Sequence, residues 1–437
     1  MKRLFIISIS AIFAVVSWAQ TNNINTPYYR NALTSMMIYH PEDEFGYDVY
    51  KIFSHLPALE KFDNHDVDLR VINNDAVTGV KGKDKGFHRQ QYGGSMVLTA
   101  AEKNKNAVVI EKLLNDAQMG KRMVAKWFNL QGNSVDSATF STKVLESRSD
   151  YNVTISEAIM ARYTTEGVNV LQTVSNDLIE HSFILVSDMT YITAEQRAEV
   201  GKKVLAGLGE VFDAVFTGSN LGDHAARLGE EIADNFTGFK VMTHSYLFQL
   251  EWNDSISNIF YTKYYTQTPN PERIKAFLAD KSLFKVKYLG AESSVYEKTQ
   301  KKGKYTRTGL LELITRRSID KNIAELQSQY EAFRIKTPIM GAEYNNKGKL
   351  LGYRALVGQK EGVSEGRKYE VLETVIDAKG RVSYKRVATI KPVNNQIWDN
   401  RFNALLENDV DGTEGTLFTV VSSVKQIQPG MLIREQK

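Results

Sequence analysis

The chain has 437 residues, no cysteine, 24% charged residues and a formal net charge of +4; Lys2 and Arg3 supply two of those charges, so a chain without them carries +2. The missing cysteines exclude disulfides, thiolate metal ligands and thiol catalysis. The near-neutral balance offers no broad basic face for nucleic acid; "KGKDKG" (81–86) and "KTQKKGKYTR" (298–307) read as solvated loops.

The amino terminus reads as an export signal, residues 1–19. Lys2 and Arg3 precede the apolar "LFIISISAIFAVVSW", and Ser17-Trp18-Ala19 places small residues where cleavage after Ala19 requires them. The apolar run is short for a bilayer core of about 30 Å, and polar "QTNNINTP" follows at once. No later run reaches the roughly 18 apolar residues of a membrane helix, so none is expected in the mature chain. A lipid-modified signal needs a cysteine at the cleavage point and is excluded. The expected location is the periplasm of a Gram-negative cell, or its outer membrane and the space beyond.

Residues 20–95 read as a polar, loop-rich α/β region, closed by Gly93 and Gly94. Residues 96–340 read as a mixed α/β region, divisible at 190/191. In "SMVLTAAEKNKNAVVIEKLLNDAQMGKRMVAKWFN", Val109, Leu113, Met123 and Trp127 recur at helical spacing. "DYNVTISEAIMARYTTEGVNVLQTVSNDLIEH" reads as helical and "SFILVSDMTYI" as a buried strand. Thr193 and Gln196 form a capping-box pattern at the next helix start. "FKVMTHSYLFQLEW" and "SNIFYTKYYT" read as two strands of a hairpin joined through "NDSI". A long helix over "TGLLELITRRSIDKNIAELQSQYEAF" carries Leu311, Ile314, Ile319, Ile323 and Leu326 near one stripe. After Pro338 helical spacing disappears. "LLGYRALVG", "RKYEVLETVI", "RVSYKRVATI", "TLFTVVSSV" and "MLIRE" are strand-like and divided by turns such as "DAKG" (377–380). Residues 341–437 therefore read as a small antiparallel β-barrel-like domain, and the whole chain as α+β.

The stretch 37–70 gathers His40, His55 and His65 among carboxylates. With Asp63 and Asp66 they are the candidate ligands of a zinc ion, which needs three or four donors at one point. No histidine pair stands at i, i+4 and no compact ligand spacing recurs, so the segment reads as structural and no cofactor is expected. "LENDVDGTEGTLF" (406–418) lacks the bidentate Glu of a calcium loop, its twelfth position counted from Glu407 being Phe418. "GLGEVF" (207–212) lacks the third glycine of a dinucleotide loop and lies in a helical segment. Tyr-rich strands suit sheet packing or, alternatively, a carbohydrate or protein contact face. Asp136-Ser137-Ala138 and Asp254-Ser255-Ile256 lie in predicted turns; they resemble the acceptor tripeptide for O-glycosylation in a group of Gram-negative anaerobes, which marks Ser137 and Ser255.

Through "MMIYHPEDEFG", "AKWFN", "SFILVSDMTYI" and "PGMLIR" the mature chain resembles an uncharacterised exported protein family of Gram-negative gut and oral bacteria. The series "WFNLQGN", "ESRSDYNVTISEA" and "LIEHSFILVSD" is similar in order to the α/β domain of the curli-secretion channel family. "GQKEGVSEGRKYEVLE" and "IQPGMLIRE" look like the β module of flagellar outer-membrane assembly proteins. The family resemblance implies a compartment; the expected function is that of an exported envelope protein that acts by contacts with other envelope proteins and without catalysis. The alternatives are an exported metal-dependent hydrolase using the His/Asp-rich segment and a glycan-binding surface protein.

Overall fold

A computed structural model describes residues 31–57, 59, 62–64, 67, 69–79, 86–89, 98–152, 176–193, 236–301, 305–376, 382–407 and 413–436. The export signal, the Thr193–Gln196 cap beyond Thr193, "GLGEVF", "DAKG" and most of "DYNVTISEA…" lie outside these residues, as do His65 and Asp66. The fold is α+β, with helices and two sheets.

The first sheet is mixed. Its order is β2 (Asp63–Asn64), β1 (Ala32–Tyr39), β4 (Ser182–Thr193), β5 (Phe236–Leu250), β6 (Val286–Lys301), with β3 (Val71–Asn73) also on β1. β1 runs parallel to β2, β3 and β4, whereas β4, β5 and β6 are antiparallel in turn. Pairing of β1 with β4 puts residues from 20–95 and 96–340 into one sheet. Lys298–Lys301 continue β6 instead of opening a loop.

Side chains alternate between faces along a strand, and here both faces are buried. Met36, Ile38, Ile184 and Val186 face one core; Leu33, Met37, Phe183 and Leu185 face the other. Helix α1 (Gly46–Ser54) supplies Val49 and Phe53 to the second core. The first core is covered by α2 (Asn74–Thr78), α3 (Ala100–Asp116) and α4 (Met119–Trp127), with α5 (Lys143–Asn152) following them in the chain. The predicted single helical run is two helices, separated by Gln118 in the left-handed region at φ 58°. Thr99 starts α3: the Glu102 N–H donates to Thr99 Oγ1 (3.3 Å) and the Thr99 N–H to Glu102 Oε2 (2.8 Å), a capping box.

The expected strand "SNIFYTKYYT" is helical. Asn253 accepts from the Ile256 N–H and caps α6 (Asp254–Ile259), which runs into a π-helical turn at Phe260–Tyr264. Spacing overrides β propensity: Phe260 and Tyr264, four apart, both reach a core that holds Phe128, Phe277 and Phe284. Helix α7 (Pro271–Ala279) adds Ile274 and Phe277.

Helix α8 (Arg307–Gln329) lies on the second face and buries Leu311, Ile314, Ile319, Ile323 and Leu326, as the stripe predicts. It also carries a buried polar seam. Asn322 Nδ2 donates to Thr243 O and Ser245 Oγ (both 3.0 Å), Ser245 Oγ meets Ser187 Oγ (3.0 Å), and Tyr191 OH meets Thr315 Oγ1 (2.9 Å). At the end of α8 the Tyr330 ring sits on Gly290 of β6, where a Cβ would lie 2.0 Å from the ring. Glycine within a strand marks such a close approach.

The second sheet contains β7 (Thr337–Tyr344), β8 (Leu350–Ala355), β9 (Tyr369–Ile376), β10 (Val382–Pro392), β11 (Thr416–Ser423) and β12 (Leu432–Glu435). All its pairings are antiparallel, and the order β10-β11-β8-β7-β12-β9 closes on itself. Ile339, Val371, Ile390, Phe418 and Ile433 fill its centre. A short helix, α9 (Ala404–Glu407), precedes β11. Arg317 of α8 holds this part of the chain, donating from Nε (2.9 Å) and from a terminal nitrogen (2.6 Å) to Phe402 O.

Candidate functional site

β1 ends at Tyr39, and His40 follows before Pro41 turns the chain. The turn is tight. Asp43 N–H donates to His40 O (3.3 Å), Gly46 N–H donates to Asp43 O (3.0 Å), and a Cβ on Gly46 would lie 2.1 Å from His40 O. Glycine therefore lets α1 begin directly above the end of β1. That geometry puts Glu42 and Asp43 beside the imidazole.

His40 is 3% exposed and Asp188, from the middle of β4, 1%. Their Nε2 and Oδ1 are 2.8 Å apart, and His40 Nδ1 lies 3.3 Å from Glu42 Oε1. A neutral imidazole donates from one nitrogen only, so which carboxylate receives the proton depends on the tautomer. Arg89 closes the group. It grips Asp43 with two nitrogens, one at 2.8 Å, and its Nε stands 3.7 Å from Asp188 Oδ1. Burial works against the Arg89 charge, but the Asp43 hydrogen bond and the charges of Asp188, Asp43 and Glu42 outweigh it and hold its pKa above the ordinary arginine value.

Arg89 is positioned from α3. The buried Asn106 accepts from His88 N–H (2.7 Å) and donates to His88 O (2.7 Å) and Tyr246 OH (2.8 Å). Across the sheet, Asp188 pairs in register with His244, and His244 with Ser293. His244 Nδ1 lies 2.7 Å from Ser293 Oγ. Burial lowers the His244 pKa against the pull of Asp188, and Lys103 lowers it further.

The three described zinc candidates do not share one environment; His65 and Asp66 lie outside the described residues. His40 is in the buried cluster. His55 is exposed at the end of α1, where its Nδ1 meets Lys51 O (2.8 Å) and its N–H bonds Ile52 O. Asp63 lies in β2, paired with Ala32. Among the described residues no group of three or more His, Asp or Glu side chains is arranged to hold a metal ion. In the cluster the cationic partner of the carboxylates is already a guanidinium, so its chemistry is that of a closed ion-pair clamp. Ser137 is exposed in a turn, with its hydroxyl on Ser134 O (3.2 Å); Ser255 is exposed in the first turn of α6.

A second feature lies on the closed sheet. β8 and β11 pair at Ala355–Thr416, Arg354–Leu417 and Tyr353–Phe418, and no further pair joins them among the described residues. Yet β8 begins at Leu350 and β11 runs to Ser423, still paired with β10 on its other flank. The seam therefore opens beyond Phe418. Its two lips are apolar and exposed: Leu351 is 45% exposed, Val421 48% and Val424 83%, with Tyr344 at 62% on the adjoining β7. Among the described residues no helix is long and apolar enough to cross a membrane.

Sequence reading singled out His40 but missed Asp188, Arg89 and His244. The available signal was Asp188 itself: a carboxylate inside "SFILVSDMTYI" must find a cation or a donor once that strand is buried. A scan against protein-family models finds no match to the chain, and a search of curated proteins finds none.

Proposed function

We propose that the chain is an exported envelope protein that works through contacts with other proteins and without catalysis, and that the open seam between β8 and β11 receives an extended apolar segment of an envelope partner. The observation that carries this reading is the pairing that stops at Phe418 while both strands continue. An unpaired strand edge presents a row of backbone donors and acceptors, and an added strand satisfies them. The valines and leucines at the lips supply the apolar area that such an addition covers. The His40–Asp188–Arg89 cluster supports the same reading from the other side, since its carboxylates already face an imidazole or a guanidinium of the chain itself.

A photo-activated crosslinker at Val421, in cells that export the chain, tests this. The expected result is one adduct with a second envelope protein, abolished by Leu351→Asp in a chain that remains folded. An adduct only with another copy of the chain, no adduct, or an adduct indifferent to Leu351→Asp overturns the proposed contact.

A further inference from the structure

The two lips of the open seam are built by matching bulges. On β7 and β8, Glu343 pairs with Gly352 and the next residue, Tyr344, with Leu350, so Leu351 is one residue too many on β8. On β10 and β11, Thr389 pairs with Ser422 and Ile390 with Val420, so Val421 is one too many on β11. Bulges re-aim a side chain or end the pairing of a strand, above all at the rims of closed sheets. Here both extra residues lie close to the last pair, Tyr353–Phe418, and both are about half exposed.

The charge around these lips has one sign. Lys347 and Lys349 lie in the β7–β8 connection that borders the opening, and Lys391 of β10 pairs in register with Thr419, the first residue of β11 past the last pair. All three are exposed, and none has a carboxylate partner among the described residues. The nearby acids are taken: Arg354 holds Glu343, with one bond of 2.9 Å, and Lys425 holds Glu373. Strand alternation assigns the faces. Phe418 and Ile390 fill the centre of the sheet, and Val420, two along from Phe418 and paired with Ile390, lies on their face. Thr419 and Lys391 take the opposite, outer face. A strand laid against β11 therefore meets valine on one face and lysine on the other.

Lysines and bulges guard a strand edge against indiscriminate pairing. The guard here is selective: carboxylates on the added strand meet unmatched ammonium groups, whereas a basic strand is repelled. A purely polar strand would leave Leu351 and Val421 wet. Resting on the seam contact described above, we propose that the partner segment is a protein strand of alternating apolar and acidic residues. Its apolar side chains lie on the face of Val420 and its carboxylates on the face of Lys391, towards Lys349.

A photo-activated crosslinker at Val421 of the purified exported chain tests this with three seven-residue peptides, which alternate Val with Glu, with Ser or with Lys. The Val/Glu peptide is expected to be captured roughly three- to tenfold more than Val/Ser, the worth of a few surface ion pairs, and Val/Lys least. Salt at about 1 M should shrink that preference. Lys347→Gln, Lys349→Gln and Lys391→Gln together should make Val/Glu and Val/Ser equal, with Val/Ser capture and circular dichroism unchanged. Lys391→Gln alone should lose part of the preference, and it keeps the test open if the triple variant does not fold. Equal capture of Val/Glu and Val/Ser by the parent, or a preference that the lysine variants keep, overturns the acidic partner and leaves the seam contact standing. Capture of none of the peptides overturns both. Displacement of Val/Glu by phosphatidylglycerol vesicles that bind through the same lysines would assign the lips to an anionic membrane and overturn the proposal as well.

Discussion

The two sheets depart from ordinary burial in opposite directions. The mixed sheet is covered on both faces and carries titratable and polar groups inside: Asp188 lies within it, His40 is buried at the end of β1, and a seam of Asn322, Ser245 and Ser187 runs under α8. The closed sheet has an apolar centre and apolar residues outside, at the lips of its open seam. Buried polar groups and exposed apolar groups are the informative exceptions to the burial rule. In the first sheet Asp188, His40, Ser187, Ser245 and the Asn322 amide nitrogen each meet a partner within the chain, so they serve the fold. In the second the exposed valines and leucines face away from the chain, and that is why the proposed contact is placed there.

The comparison breaks most readily at Asp188. Asp188→Ala leaves His40 and Arg89 inside without their common carboxylate, and removing one member of a buried ion pair costs about 3–5 kcal/mol. Urea unfolding monitored by circular dichroism should show a loss of that size; a loss within error of zero would mean the cluster is not structural. Asn322→Ala comes next. It strips Thr243 O and Ser245 Oγ of a donor, for an expected loss of about 1–3 kcal/mol in the same measurement.

Acid offers a finer probe. The folded pKa of His244 is depressed below 6.5, so as pH falls the unfolded chain takes up that proton first. The His244 contribution is therefore complete above about pH 6.5 and is lost as pH falls through the folded value. Urea midpoints between pH 7 and pH 5 should fall less steeply in His244→Gln than in the parent; identical slopes would remove His244 from the account. The smallest effect belongs to the closed sheet. Leu351→Ser and Val421→Ser should each change stability by no more than about 0.5 kcal/mol, as exposed sites do. A loss of several kcal/mol would show those residues packed in solution and would withdraw the contact surface.

Much of the fold was legible because periodicity carries it. Leu311 to Leu326 marked α8, and the short strands after Pro338 marked the closed sheet. "SNIFYTKYYT" misled because its aromatic residues favour strands by type, whereas the spacing of Phe260 and Tyr264 and the Asn253 cap favour a helix. The cluster was only half legible. His40 was visible, yet the other members of the cluster, Arg89 and Asp188, lie 49 and 148 positions away, and only the β1–β4 pairing brings Asp188 to it. Gly46 looked like a turn residue among others. Its need for glycine depends on the distance to His40 O, which no spacing rule reveals.

The Tyr330 ring on Gly290 has a mechanical meaning. A long helix lying on a sheet can slide along its axis and roll about it with little change in apolar area. A ring seated where one Cβ is absent resists both motions. It works as an indexing pin, fixing both the phase and the axial position of α8. Because Arg317 on the same helix reaches Phe402, the pin also sets where the connection to the second sheet begins. A larger residue at 290 would have to displace the Tyr330 ring or be matched by a smaller side chain at 330.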